Sequence, residues 1–371
     1  MQKTGDFLTI KAIPLGGETA FMNILGQTRK FVTKRILPIV KPKQQKLFSF
    51  GLQALTFTTY ESLGSNARLV VENVSTAASK IYRLVSNKTI LENFHRLLTH
   101  ACLVSRQSVV NVDFSTFCGF QTLVFAVQTQ CGRALPVWNN CITYPIEKVG
   151  SQNIFVLEQI QAFGKCLGFY PRFVFDRGFW IPCLMKFFLK EKIIFYLRIK
   201  AGQEFIWVNR AGKASRKAKK IGTYTKDTVI ELFGYKMRLI VSPLPPKQTN
   251  PKKVQNIERW YIITNDMKTK REDILLIYKT RFEIEETFRD YKHIQRLKRL
   301  RIKTCQTFRI LLWFASVAFW IAWWRDNATD PIQEIVSPKK TRSFFCIFWE
   351  ELQRALRTEK LRYIATGLSP G

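Results

Sequence analysis

The sequence predicts an α/β chain with a mainly helical N-terminal region and a β-rich insertion. Three observations carry this. From about residue 106, short β-branched runs follow one another: SVVNVDF (108–114), QTLVFAVQT (121–129) and ALPVWNNCITYP (134–145). That succession reads as an antiparallel meander. The stretch 150–169 carries Ile154, Leu157, Ile160 and Phe163 on a helical period, with Gly168 near its end, and the buried strand PRFVFDRGF (171–179) follows. Between about 201 and 259, strand-like runs such as EFIWVN and VIELFGYKMRLIVSPLPP alternate with turns.

The other elements fall in order around these. Residues 1–105 are basic and dotted with Ser and Thr. Within them, 26–47 holds two prolines and many cations, the pattern of an exposed arm or of a helix followed by a turn. Leu69, Val71, Val74, Ala77, Ile81 and Leu84 place several helices in 66–100. IPCLMKFFLKEK (181–192) reads as a helix and IIFYLRIK (193–200) as a strand. Lys213–Lys220 carries five cations and no acid. It reads as a hairpin tip able to lie along phosphates, with a plain solvated loop as the alternative. WYIITND (260–266) is a buried strand, and 271–300 is one long charged helix. The apolar run 310–324 has 15 residues between Arg309 and Arg325. A bilayer span needs roughly 20, so a buried helix of a soluble core is expected, with no membrane. Residues 326–371 form a basic helical tail. The organisation expected is a DNA-binding region at 1–105, a catalytic domain at 106–325 and that tail.

Composition narrows the function. Lys and Arg number 59 against 27 Asp and Glu, a net charge of +32. A polyanion relieves such self-repulsion, because each neutralised phosphate releases a counterion. A hydrophobic content of 46% excludes a disordered tail. The eight cysteines include no C-x-x-C pair, and His95, His100 and His293 make no zinc pattern, so the cysteines are expected to be reduced, intracellular core residues. The N-terminus has no apolar signal core.

The chemistry-bearing residues are carboxylates. Of nine aspartates, Asp113 and Asp176 stand where a hydrophobic strand runs out. An Asp there is poised over a cleft, although a turn or helix N-cap explains one such residue equally well. On the charged helix, Tyr278, Arg281, Glu285 and Lys292 fall within about 60° of one another at a helical period, and Arg289 lies on the same face. A salt-bridged surface helix accounts for the Arg281–Glu285 pair but not for the Tyr or the two aspartates. Carboxylates brought together suit Mg²⁺ or Mn²⁺, two of which clamp the attacking and leaving oxygens in phosphoryl transfer.

The string YKTRFEIEETFRDYK matches the Y-(2)-R-(3)-E-(6)-K signature of the IS4 family of bacterial insertion-sequence transposases. FVFDRGF, VNVDFST and WYIITND resemble the strands around that family's two aspartates and before its signature helix. The resemblance covers about 105–325. It implies an RNase H-like fold, a five-stranded mixed sheet flanked by helices with a β-rich insertion before the Glu. It also implies that Asp113, Asp176 and Glu285 hold two Mg²⁺ or Mn²⁺ ions, Glu285 being preferred to Glu283 and Glu286 by its register with Tyr278, Arg281 and Lys292. Those three would grip the phosphate of the strand not being cut, with Arg289 beside them. The implied activity is cutting transposon ends and transferring the 3′-hydroxyls into target DNA. The partners are double-stranded DNA and a second copy of the chain in the DNA complex. The setting is the bacterial cytoplasm, at the nucleoid. Trp207 is a candidate to receive an unstacked base, and a core Trp is its plainer reading. Two alternatives stay open: a nuclease of the same fold that cuts without joining, and a decayed copy that only binds DNA.

Overall fold

The computed structural model describes residues 32–56, 73–87, 89–101, 103–143, 151–208, 214–243, 259–297, 300–328 and 345–353. The start of the basic arm, Leu69, Val71, Lys213 and most of the basic tail lie outside them. Two compact units are present: residues 98–289 with 302–309, and residues 1–97 with 290–301 and 310–371.

The first of these is built on one sheet. Strands β1 (Val109–Phe117), β2 (Phe120–Val127) and β3 (Leu135–Thr143) form the expected meander. Its first turn is two residues long, with Cys118 at φ 51° and Gly119 at φ 82°, the twist that a tight hairpin needs. Helix α4 (Gln152–Leu167) then carries the chain back so that β4 (Arg172–Phe175) lies parallel to β1. Ser151 caps α4 by accepting from the Ile154 N–H at 3.2 Å, and left-handed Gly168 (φ 76°) ends it. Helix α5 (Pro182–Lys190) returns β5 (Phe195–Ile199) parallel to β4. (Helices α1–α3 belong to the other unit.) The buried face of α4 is Phe155, Val156, Gln159, Ile160 and Phe163. The expected helical period holds, but the stripe is rotated, and Ile154 is exposed.

The insertion does not stand apart from a five-stranded sheet. Strands β6 (Glu204–Val208), β7 (Ala214–Lys220), β8 (Thr228–Leu232), β9 (Tyr235–Val241) and β10 (Tyr261–Thr264) continue it to ten, in the order β3-β2-β1-β4-β5-β10-β9-β8-β6-β7. The cationic run expected as a hairpin tip is therefore strand β7, paired with β6. Lys is poor in β-propensity but suits an edge strand, where charge discourages further pairing. The Lys219 ammonium lies over the half-buried Trp207 ring, 5.5 Å from its centroid.

Beyond β10 the expected long helix is two. Helix α6 (Arg271–Thr280) stops and α7 (Glu283–His293) starts across a turn at Arg281–Phe282. There the N–H groups of Arg281, Phe282, Ile284 and Glu285 reach three residues back instead of four.

The second unit is helical: α1 (Gln45–Gly51), α2 (Val74–Ser86), α3 (Ile90–His100, up to Leu97), α8 (Cys305–Ala328, from Ile310 onward) and α9 (345–353). Helix α8 is longer than the 15-residue apolar run, and its Cys305–Trp324 stretch has the length and composition of a membrane span. It is nonetheless 78% buried. Within this unit Trp313 stacks on Phe94, Phe314 packs on Phe48 and Phe94, and Ser316 bonds Tyr291 at 2.8 Å. Replacing Phe314 by Ala is expected to cost about 3–5 kcal/mol. Urea unfolding measures it, and a loss below about 1 kcal/mol would mean that these contacts do not hold the helix. The seven cysteines described form no disulfide. Their expected core placement is met only by Cys141, because Cys131 and Cys183 are exposed and the others half-buried.

Candidate active site

The parallel β1–β4 ladder sets the two aspartates side by side. Its last pair is Val112 with Phe175, so Asp113 and Asp176 are each the first residue beyond it. Asp113 does not stand where its strand runs out: β1 continues to Phe117, with Asp113 paired to Val124 of β2. What ends there is β4. The position is the C-terminal end of neighbouring parallel strands, where α/β sheets open a cleft. Asp176 precedes a short helical turn, Arg177–Phe179, yet its side chain does not cap it. Its Oδ1 accepts from the Tyr278 hydroxyl at 3.2 Å.

Helix α6 and the turn after it supply the other groups. The Tyr278 ring is fully buried, packed with Val174, Tyr196, Ile240, Ile262 and Ile274 and set edge-on against Trp260. Burial pushes its hydroxyl above the usual phenol range, aided by the Asp176 charge, so it stays a donor. Arg281 sits in the break between the helices and is 4% exposed. Its Nη1 donates to Asp113 Oδ2 at 3.3 Å and its Nη2 to Glu285 Oε1 at 2.8 Å. Its Nε is buried without a hydrogen-bond partner among the described residues. Burial opposes the guanidinium charge, but Tyr278, Asp176, Asp113 and Glu285 outweigh it and hold its pKa up. Asp113 is pushed up to about 6, first by burial, against the Arg281 charge and the Phe114 N–H and with repulsion from Asp176 and Glu285.

The structure thus brings together Asp113, Asp176, Tyr278, Arg281 and Glu285. Arg289 does not join them: its exposed guanidinium pairs with Glu286 at 2.6 Å. Lys292 lies in the last turn of α7, in the part of the chain that belongs to the helical unit. The neighbouring acids are engaged elsewhere, Glu286 with Arg133 and Arg289, and Glu283 with the backbone of the β2–β3 turn.

Three carboxylates are an all-oxygen donor set, which suits a hard divalent cation. In this conformation, however, no group of three His, Cys, Asp or Glu side chains among the described residues converges tightly enough to hold a metal. The positive charge between Asp113 and Glu285 is the Arg281 guanidinium. Beside Asp176 opens a cavity of about 450 Å³ lined by Arg177, Gly178, Trp180, Lys200 and Gln203. Sequence reasoning singled out neither Trp180 nor Lys200. Their signal was the short distance along the chain from Asp176 and from the end of β5.

Residues 156–321 match the family model of the transposase DDE domain. That stretch contains Asp176, Tyr278, Arg281 and Glu285 and leaves out Asp113. No curated protein matches the chain. Among solved structures, the piggyBac transposase synaptic complex with hairpin DNA, determined by cryo-EM, is similar at 10% identity and a TM-score of 0.44. The similarity covers 93% of this chain and 84% of that one.

Proposed function

We propose that this chain is a DNA transposase of the IS4 type, with an RNase H-like catalytic unit that cuts transposon ends and transfers their 3′-hydroxyls into target DNA. One observation carries the reading: Asp113 and Asp176 are the first residues beyond the last pair of the parallel β1–β4 ladder, and the buried Arg281 joins Asp113 to Glu285 while Tyr278 of the same segment holds Asp176. The match of residues 156–321 to a transposase domain supports it. Asp113, Asp176 and Glu285 would hold the two Mg²⁺ or Mn²⁺ ions. Bound there, such ions supply Lewis-acid charge and an activated water. Tyr278 holds Asp176 from behind as a hydrogen-bond donor. Arg281 carries two guanidinium N–H groups that suit a phosphate as well as they suit carboxylates. Lys292 and Arg289 extend that cationic line along α7 and contact the uncut strand. Residues 1–105 bind the transposon ends, and two copies of the chain pair them, in the cytoplasm at the nucleoid.

The test is a cutting and joining assay with the purified chain, the DNA flanking its gene and Mg²⁺ or Mn²⁺. Cutting at the element ends followed by joining is expected. Cutting without joining would replace the transposase by a nuclease, and DNA binding alone would mark a copy that has lost its chemistry.

Strand β7 offers a separate measurement. Lys219 and Lys220 are exposed on it. Replacing both by Ala is expected to weaken binding to all DNA sequences alike and to lower the slope of log affinity on log salt by up to about 2. An unchanged slope would remove β7 from the DNA interface.

A further inference from the structure

We infer that Glu283 is a positioning residue: its carboxylate, seated in the β2–β3 turn, sets the start of α7 so that Glu285 meets Arg281, which also holds Asp113. The inference rests on the catalytic reading of Glu285. Glu283 is buried, and its Oε2 and Oε1 accept the N–H groups of Thr129 and Gly132, each at 2.9 Å. The turn that presents them has Gln130 at φ 61° and Gly132 at φ 79°. Successive backbone N–H groups in such a turn form a concave anion receptor. Here the anion is a side chain of the same protein. The contact is reinforced along the backbone: Ala134 N–H donates to the Glu283 carbonyl at 3.3 Å, and the Thr287 hydroxyl donates to the Ala134 carbonyl at 2.7 Å.

A second clamp holds the other side of the helix break. Gln128 donates to the Ile277 carbonyl at 2.8 Å and to Asn111 Oδ1 at 2.7 Å, and Asn111 donates to the Arg281 carbonyl at 3.4 Å. Asn111 lies two residues before Asp113 on β1. Two carbonyls at the helix break are thus bonded by side chains of the sheet, Ile277 by Gln128 just after β2 and Arg281 by Asn111 on the strand that bears the first aspartate. The two clamps hold the chain on both sides of the break between α6 and α7. Residues two apart on a helix point about 200° apart. With Glu283 fixed in the turn, Glu285 must face the opposite way, toward Arg281.

The experiment compares Glu283→Ala with the unsubstituted chain and with Ser151→Ala, which removes a helix cap remote from the site. DNA affinity of Glu283→Ala should stay within about 3-fold, while its cutting rate at saturating DNA falls by about 100-fold, the scale of a misplaced group. Ser151→Ala should lose less than about 3-fold in rate, because a cap contributes only to stability. In a crystal structure of Glu283→Ala the Arg281–Glu285 contact should be broken. A rate no slower than that of Ser151→Ala, or that contact intact, overturns the inference. If the unsubstituted chain does not cut DNA, the transposase reading falls, and the crystal comparison alone decides whether Glu283 positions Glu285.

Discussion

Replacing Asp113, Asp176 or Glu285 by Ala is expected to remove cutting and joining while leaving DNA affinity within a few-fold. The rate should fall by more than about 10³-fold, because members of a set that acts as a unit each cost nearly the whole when lost. The three differ in what else they do, and this separates chemistry from folding. Asp113 is half-buried with its pKa raised, so its truncation relieves a strained charge. Asp176 anchors the Tyr278 hydroxyl, so its truncation leaves that donor in search of a partner. Glu285 is exposed and pairs only with Arg281 among the ion pairs described. Asp113→Ala should therefore unfold no more easily than the parent at neutral pH, and Glu285→Ala should be nearly neutral. If any one variant keeps full rate, the wrong carboxylate has been assigned. For Glu285 the substitutes are poor, since Glu283 and Glu286 are held by the β2–β3 turn and by Arg133 and Arg289.

The site was more legible in the sequence than the way it is held. Two hydrophobic runs that each reach an Asp, and a Tyr, an Arg and a Glu on one helical period, are local patterns, and the structure gathers those five residues. The register that sets Asp113 beside Asp176 is not local, because it depends on where β4 stops against β1. The break at Arg281–Phe282 was invisible for a related reason. Its residues are ordinary helix formers, and what divides the helix is the capture of Glu283 by a turn 150 residues earlier and of the Arg281 carbonyl by Asn111. Tertiary contact here overrides propensity. The Lys-rich β7 was misjudged because strand patterns are tuned to half-buried surfaces, and an edge strand violates them.

The pH dependence of folding should expose the conflict that Arg281 resolves. A carboxyl at about 6 in the folded chain and at about 3.9 when unfolded binds its proton more tightly when folded. Asp113 therefore lets the folded state be most stable below about pH 4 and costs stability as pH rises through about 6, by about 3 kcal/mol in all. Asp113→Asn removes this dependence. The difference in unfolding free energy between parent and variant should change by that amount across the window, and urea unfolding at several pH values measures it. Arg281→Ala moves the same balance the other way. It strips the buried guanidinium from between Asp113 and Glu285 and leaves a half-buried carboxylate facing two others, so at neutral pH it should cost about 3 kcal/mol. The deficit should shrink on acidification, because a protonated Asp113 no longer needs the guanidinium. Lys at this position keeps the charge but not the fork that spans two carboxylates, and should fall between. A deficit that does not vary with pH would mean that Arg281 acts by filling space, and the electrostatic account of the site would fail with it.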